Sequence, residues 1–188
     1  MASKIRTKLI KSLSNTDSFK KSAVLILFYS KNDEIYTVLI QRPVYNGVHS
    51  NQISFPGGKH EISDKNLHET AIRECFEEIG IQIGEGDVIG ELSELFIPPS
   101  SFRVLPVLSC IYFEPIFKPN EFEVQHIIEA KLSDLFNPKN VKKVSMNVRG
   151  IQFKTPAIVL NQQVIWGATA MIINELKEVC KDMTFSDE

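Results

Sequence analysis

Three carboxylates fall within one short stretch of this chain. They are Glu74, Glu77 and Glu78, in the run Arg73-Glu74-Cys75-Phe76-Glu77-Glu78-Ile79-Gly80-Ile81, with the pair Gly57-Gly58 upstream. On a helix, positions three and four apart are neighbours at about 5–6 Å. At about 6 Å and an effective dielectric near 20, each carboxylate pair repels by roughly 3 kcal/mol before screening. A purely structural helix gains nothing from that. A hard divalent cation reverses the sign, because Mg²⁺ favours carboxylate oxygens together with substrate phosphates. The chemistry such a patch could do is metal-assisted work on a phosphate ester or anhydride.

The elements that must position these acids can be read from pattern. The helix carrying them is expected to start at Ser63 or Asp64, either of which can cap it. Ala71, Ile72, Cys75, Phe76 and Ile79 form its apolar side, with the acids on a separate arc about 100° wide. Gly80 stands where a left-handed C-terminal residue belongs. Ahead of it, Ala23–Tyr29 reads as a buried strand, paired with Ile35–Ile40 through the turn Lys31-Asn32-Asp33. Ile53–Phe55 is short and extended, and Pro56-Gly57-Gly58 turns the chain. Strands follow at Val88–Phe96, Arg103–Phe113 and Ile127–Leu132, with shorter extended segments at Val144–Val148, Ile151–Phe153 and Ala157–Leu160. Gly167–Lys181 closes the chain as a helix. Strands mixed with a few helices, rather than alternating with them, predict an α/β fold with a mixed sheet between helices.

A length of 188 residues and 43% hydrophobic content suit a single domain with a full core. The expected parts are an N-terminal helix over 1–20, a core over 21–182 and a tail over 183–188. Ile5, Leu9 and Leu13 recur at helical spacing in the basic N-terminal stretch, which reads as a surface helix packed on the domain. A net charge of −2 implies no general polyanion surface, hence no nucleic-acid partner. No apolar run approaches the roughly 20 residues needed to span a membrane. Cys75, Cys110 and Cys180 cannot all pair, which reads as reduced thiols in a cytoplasmic protein. A homodimer is left open.

Gly58 through Ile81 resembles the Nudix box, the signature of hydrolases that cleave nucleoside diphosphates linked to another group. Arg73, Glu74, Cys75 (at an apolar position), Glu77, Glu78, Gly80 and Ile81 match its right half. The left half departs. Arg73 lies fifteen residues after Gly58, one more than the pattern, and Asp64 replaces its early Glu. A second resemblance is to the upstream motif of the coenzyme A pyrophosphatase subgroup. Leu39, Arg42, Phe55, Pro56, Gly57 and Gly58 match it, and His49 and Gln52 stand where members commonly carry them. Ile40, Gly47 and Asn51 depart from it. Ile97–Phe102 and Ile165–Ala170 also resemble that subgroup.

The resemblance implies a Nudix α/β/α sandwich and Mg²⁺- or Mn²⁺-dependent hydrolysis of coenzyme A or acyl-coenzyme A to 3′,5′-ADP and (acyl-)phosphopantetheine. It implies Glu74 and Glu78 as direct metal ligands, with the backbone carbonyl of Gly57 or Gly58 completing the shell. Glu77 is a third ligand or the acceptor of the water's proton, and Arg73 holds its carboxylate. A further acid is expected outside the box, at Glu121 or Glu123. Arg42, His49, Gln52 and Phe55 are the candidate substrate contacts. Arg42 could equally be a surface ion pair. Phe55 and Phe102 could stack on a base or pack in the core. His49, His60, His68 and His126 are isolated enough to be surface residues, and Trp166 is expected to pack the last helix onto the sheet. Gly47 and Asn51 favour another substrate such as ADP-ribose. A non-catalytic nucleotide-binding module is the alternative of a different class, although such a module would be expected to lose box acids.

Overall fold

The computed structural model describes residues 19–43, 52–98, 100–148 and 150–181. The expected N-terminal helix, Gly47, His49, Asn51 and the 183–188 tail lie outside the described residues.

Strand β1 (Lys20–Lys31) is the spine. It turns through Asn32 and Asp33, both at positive φ, into its antiparallel partner β2 (Glu34–Gln41). Two short strands follow, β3 (Ile53–Ser54) on β2 and β4 (Gly57–Lys59) on the first half of β1. Helix α1 spans Leu67–Ile79. β5 (Val88–Glu91) and β6 (Leu95–Ile97) both pair with β7 (Phe102–Cys110), which runs parallel to β1 along its length. β8 (His126–Lys131) flanks β2 and leads into the short helix α2 (Leu132–Phe136). The one parallel pair among antiparallel neighbours makes the eight-stranded sheet mixed.

Successive side chains of a strand point to opposite faces, and β1 shows the consequence. Ala23, Leu25, Leu27 and Tyr29 join one core with Ala71, Cys75 and Ile79 of α1. Ile26 joins the other, which also contains Leu39, Leu135 and the inner face of the last helix, α3 (Gly167–Lys181). The sheet is therefore covered on both faces, as an α/β/α sandwich requires.

Several expectations are corrected. Helix α1 starts later than Ser63 or Asp64. Asn66 caps it, its side chain accepting from Glu69 N, which frees Asp64 for another task. Phe76 is not on the buried side but 56% exposed, because the core contact of that turn is made by Cys75 and Ile79. Val88–Phe96 is not continuous: β5 ends at Glu91 and β6 begins at Leu95, although Leu92 N still donates to Pro106 O of β7. The strand expected to reach Phe113 ends at Cys110, beyond which Tyr112 and Phe113 face outward. The three late extended segments merge into β9 (Val141–Val148) and β10 (Ile151–Leu160), which build a separate three-stranded sheet with β11 (Gln163–Trp166). Pro156 is accommodated within β10 opposite Lys143.

Candidate active site

Four backbone features bring the acids to one place. The Phe55-to-Gly58 turn is drawn against β1 by Leu25 N donating to Pro56 O at 2.8 Å. Gly57 sits at φ +154°, and a Cβ there would meet Val24 Cα at 2.5 Å and collide with Ala23 O. A Cβ on Gly58 would collide with the Glu74 carboxylate. Glycine is required at Gly57 so that the turn can lie against β1, whereas a side chain at Gly58 would push the Glu74 carboxylate away from the turn. At the far end of α1, Gly80 in the left-handed region closes the helix on Phe76 O.

The three acids have different surroundings. Glu78 is 1% exposed. Its Oε2 accepts from Gly57 N at 2.8 Å and its Oε1 from Arg42 Nη2 at 3.1 Å. The same Arg42 nitrogen donates to Gly57 O at 2.7 Å. Burial pushes the Glu78 carboxyl up to about 7, against the opposing pull of Arg42 and the Gly57 N–H. Glu74 is largely buried beside Gly58, and burial raises its pKa as well. Glu77 is half-exposed and held by Arg73 Nη1 at 2.8 Å.

Arg73 is the hub beneath this patch. Its Nε and Nη2 form a bidentate pair with the buried Asp64 at 2.9 and 3.0 Å. Nη1 reaches Glu74 at 3.0 Å as well as Glu77, and Nη2 also reaches Lys59 O. Thr70 Oγ1 and Glu61 N donate to Asp64 too. With Arg73 first, these partners hold the Asp64 carboxyl well below the usual carboxylate range. The acid standing in for the box's early Glu therefore anchors the arginine that orients Glu74 and Glu77.

Among the described residues, no three His, Cys, Asp or Glu side chains converge into a ready-made metal cage. The donor set still suits a hard divalent ion. Glu74 and Glu78 are both buried at the Gly57-Gly58 backbone, and both carry a desolvation cost that a cation would relieve. Glu77 is turned to Arg73 instead.

Of the other candidates, Arg42, Gln52, Phe55 and Phe102 line one cavity, and the described histidines are dispersed. Arg42 is no plain surface pair, because its partner is the buried Glu78. Phe55 is 1% exposed and packs in the core with Ile53 and Ile26, so its ring backs the site from within. Gln52 and Phe102 line the cavity described below. His60 bonds Thr70 at 3.0 Å, His68 meets Glu91 at 2.7 Å, and His126 is exposed at the start of β8. Burial pushes the Cys75 thiol up to about 12, which disqualifies it as a nucleophile. Glu121 and Glu123 are both exposed, and of the two Glu123 adds to the raised pKa of Glu78. That influence arises because Lys118 N and Asn120 N donate to the carbonyls of Ile79 and Glu78, pinning residues 118–124 to the end of α1. Sequence reading missed this segment, which has no periodicity to reveal its anchor.

A cavity of about 700 Å³ opens beside Gly57 and Gly58. Its walls include Leu95, Phe96, Ile97, Phe102, Phe153, Trp166 and Met171, and its charged lining residues are Arg42 and Lys59. Trp166 leans on Phe153 at 6.0 Å between ring centres, so the small sheet and the start of α3 form one wall. Thr169 Oγ1 ties that wall to Ile53 O at 2.9 Å.

The NUDIX domain family matches residues 19–149 of this chain. The chain is 34% identical over 128 residues to a Nudix hydrolase NudL of Pectobacterium atrosepticum, covering 68% of this chain and 66% of that protein. It is 32% identical over 164 residues to Nudix hydrolase 22, chloroplastic, of Arabidopsis thaliana, covering 82% of this chain and 53% of that protein. The chain thus spans about half to two thirds of the length of these curated relatives. Its fold is similar to the NUDIX domain of Shewanella oneidensis NrtR, solved in complex with ADP ribose, with a TM-score of 0.58. There the identity is 14%, over 91% of this chain and 97% of that one, a likeness of fold alone.

Proposed function

We propose that this chain, which belongs to the Nudix hydrolase family, is a Mg²⁺-dependent pyrophosphatase that cuts coenzyme A or an acyl derivative at its diphosphate. The observation that carries this reading is the placement of the 700 Å³ cavity against the Gly57-Gly58 turn, whose backbone the Glu74 and Glu78 carboxylates meet from α1. Its volume lies in the range of about 300–1,000 Å³ usual for ligand sites. Apolar walls whose charged members, among the described residues, are Arg42 and Lys59 suit a substrate that joins a diphosphate to a long, uncharged arm.

Glu74, Glu78 and the Gly57 carbonyl would hold the metal. A bound Mg²⁺ supplies neutralisation of the diphosphate and a lowered pKa for an attacking water. Arg73 fixes Glu77, the solvent-facing carboxylate of the three, to receive the water's proton. Asp64 and Lys59 O fix Arg73 in turn.

The test is a panel of coenzyme A, acyl-coenzyme A, ADP-ribose, NADH, diadenosine polyphosphates and dNTPs with purified protein and Mg²⁺. Preference for the coenzyme A group is expected. Preference for ADP-ribose, which Gly47 and Asn51 favour, would remove the subgroup assignment and leave the family. No turnover of any member would favour the non-catalytic module, against which all three box acids speak.

A further inference from the structure

We propose that Arg42 is a stand-in cation, which occupies the metal's oxygen atoms until the metal arrives and then turns to the substrate's diphosphate. One guanidinium nitrogen, Nη2, lies 2.7 Å from Gly57 O and 3.1 Å from Glu78 Oε1. The remaining oxygen of Glu78 is taken by Gly57 N at 2.8 Å. A carboxylate that is 1% exposed calls for a hydrogen-bonding partner of opposite charge, and Arg42 provides it. A carbonyl and a carboxylate are also what a hard divalent ion selects. Two positive charges at bonding distance from the same oxygens repel strongly in so buried a place, so guanidinium and metal exclude one another there.

The displaced side chain has somewhere to go. Arg42 lines the cavity and its side chain is 28% exposed. A planar guanidinium pairs with two phosphate oxygens in a geometry that its present carbonyl and carboxylate do not offer. Metal binding releases Arg42 toward the diphosphate, and diphosphate binding withdraws Arg42 from the metal's ligands. The two affinities are then linked, and the linkage is reciprocal. In the ligand-free protein Arg42 meanwhile keeps Glu78 paired.

This inference rests on the reading that Glu78 and the Gly57 carbonyl belong to the cation site, and the experiment separates the two. Mn²⁺ affinity is measured on the full chain without substrate, by paramagnetic resonance of free Mn²⁺, for wild type, Arg42→Gln, Arg42→Lys and Glu78→Gln. Arg42→Gln should bind Mn²⁺ tighter by about fivefold or more, with Arg42→Lys near wild type. Methylenediphosphonate should tighten Mn²⁺ binding more in wild type than in Arg42→Gln. Saturating Mg²⁺ with the same analogue should also shift the Arg42 Nε–H resonance of the wild-type protein, which needs no variant to fold. An unmoved resonance, or a folded Arg42→Gln that binds Mn²⁺ no tighter, overturns the proposal alone. Wild type that fails to bind Mn²⁺, or binds it as well after Glu78→Gln, removes the cation-site reading and the proposal with it.

Discussion

Glu78 and Asp64 are both buried carboxylates, yet their environments push them in opposite directions. Glu78 has a folded pKa raised from the ordinary 4.5 to about 7, chiefly by burial. Its contribution to stability is therefore full below pH 4.5 and is lost as the pH rises through about 7. Glu78→Gln should flatten that fall and stabilise the metal-free protein at pH 8 by up to about 3 kcal/mol. It should also cut turnover by about 10²–10³-fold. Thermal melts across pH, with parallel kinetics, check both halves. A Glu78→Gln protein that turns over normally would deny Glu78 its place in the site. Asp64 runs the other way. Its folded pKa is held below the ordinary 3.8, so its contribution is present above that value and lost as the pH falls below it. Arg73→Ala strands this carboxylate, which is 3% exposed, and should cost about 3–5 kcal/mol. For a chain of this size that is about 10 °C in Tm. Calorimetry at neutral pH measures it, and a loss under about 1 kcal/mol would reduce the Asp64–Arg73 pair to an ordinary surface contact.

At the scale of elements, α1 shows how a face is assigned. Its sequence carries apolar residues over a broad arc, and the sheet takes only part of it. Ile79 is fully buried while Phe76 is 56% exposed. Ile79→Ala should destabilise by about 2–5 kcal/mol, whereas Phe76→Ala should stay within about 0.5 kcal/mol. Denaturant unfolding distinguishes them, and equal losses would mean that Phe76 packs against something in solution. The same turn of helix sends Glu78 inward and leaves Glu77 outward, although they are adjacent in sequence. What pulls Glu78 in is the Gly57 N–H at the start of β4 and Arg42 just beyond the end of β2.

At the scale of the molecule, the cavity beside the glycine turn belongs to neither core alone. It forms where β1, the glycine turn, β6, the three-stranded sheet and the first turn of α3 meet. Ala168 lines it from α3. Ala168→Phe should raise KM for coenzyme A substrates by about tenfold with kcat little changed, since it removes room for binding without touching the carboxylates. Steady-state kinetics would show this, and an unaltered KM would place the substrate's arm elsewhere. Among the described residues no helix is long and apolar enough to cross a membrane.

Much of this was legible in the chain before folding. Alternating and continuous apolar runs reveal β1, β2 and the bounds of α3, because burial on two faces or one leaves a period in the residue types. The Arg73–Ile81 run reveals the acid-bearing helix, because carboxylates so close together are unfavourable unless something cationic answers them. What could not be read there depends on partners remote in sequence. Asp64's engagement with Arg73, Arg42's reach across thirty-six positions to Glu78 and the anchoring of Asn120 on α1 are contacts between separate elements. The three-stranded sheet was blurred by Pro156 and by segments too short to show a period. Local pattern records which surfaces a segment must hide, but a carboxylate's charge state and a cavity's shape depend on the groups that long-range packing brings around them.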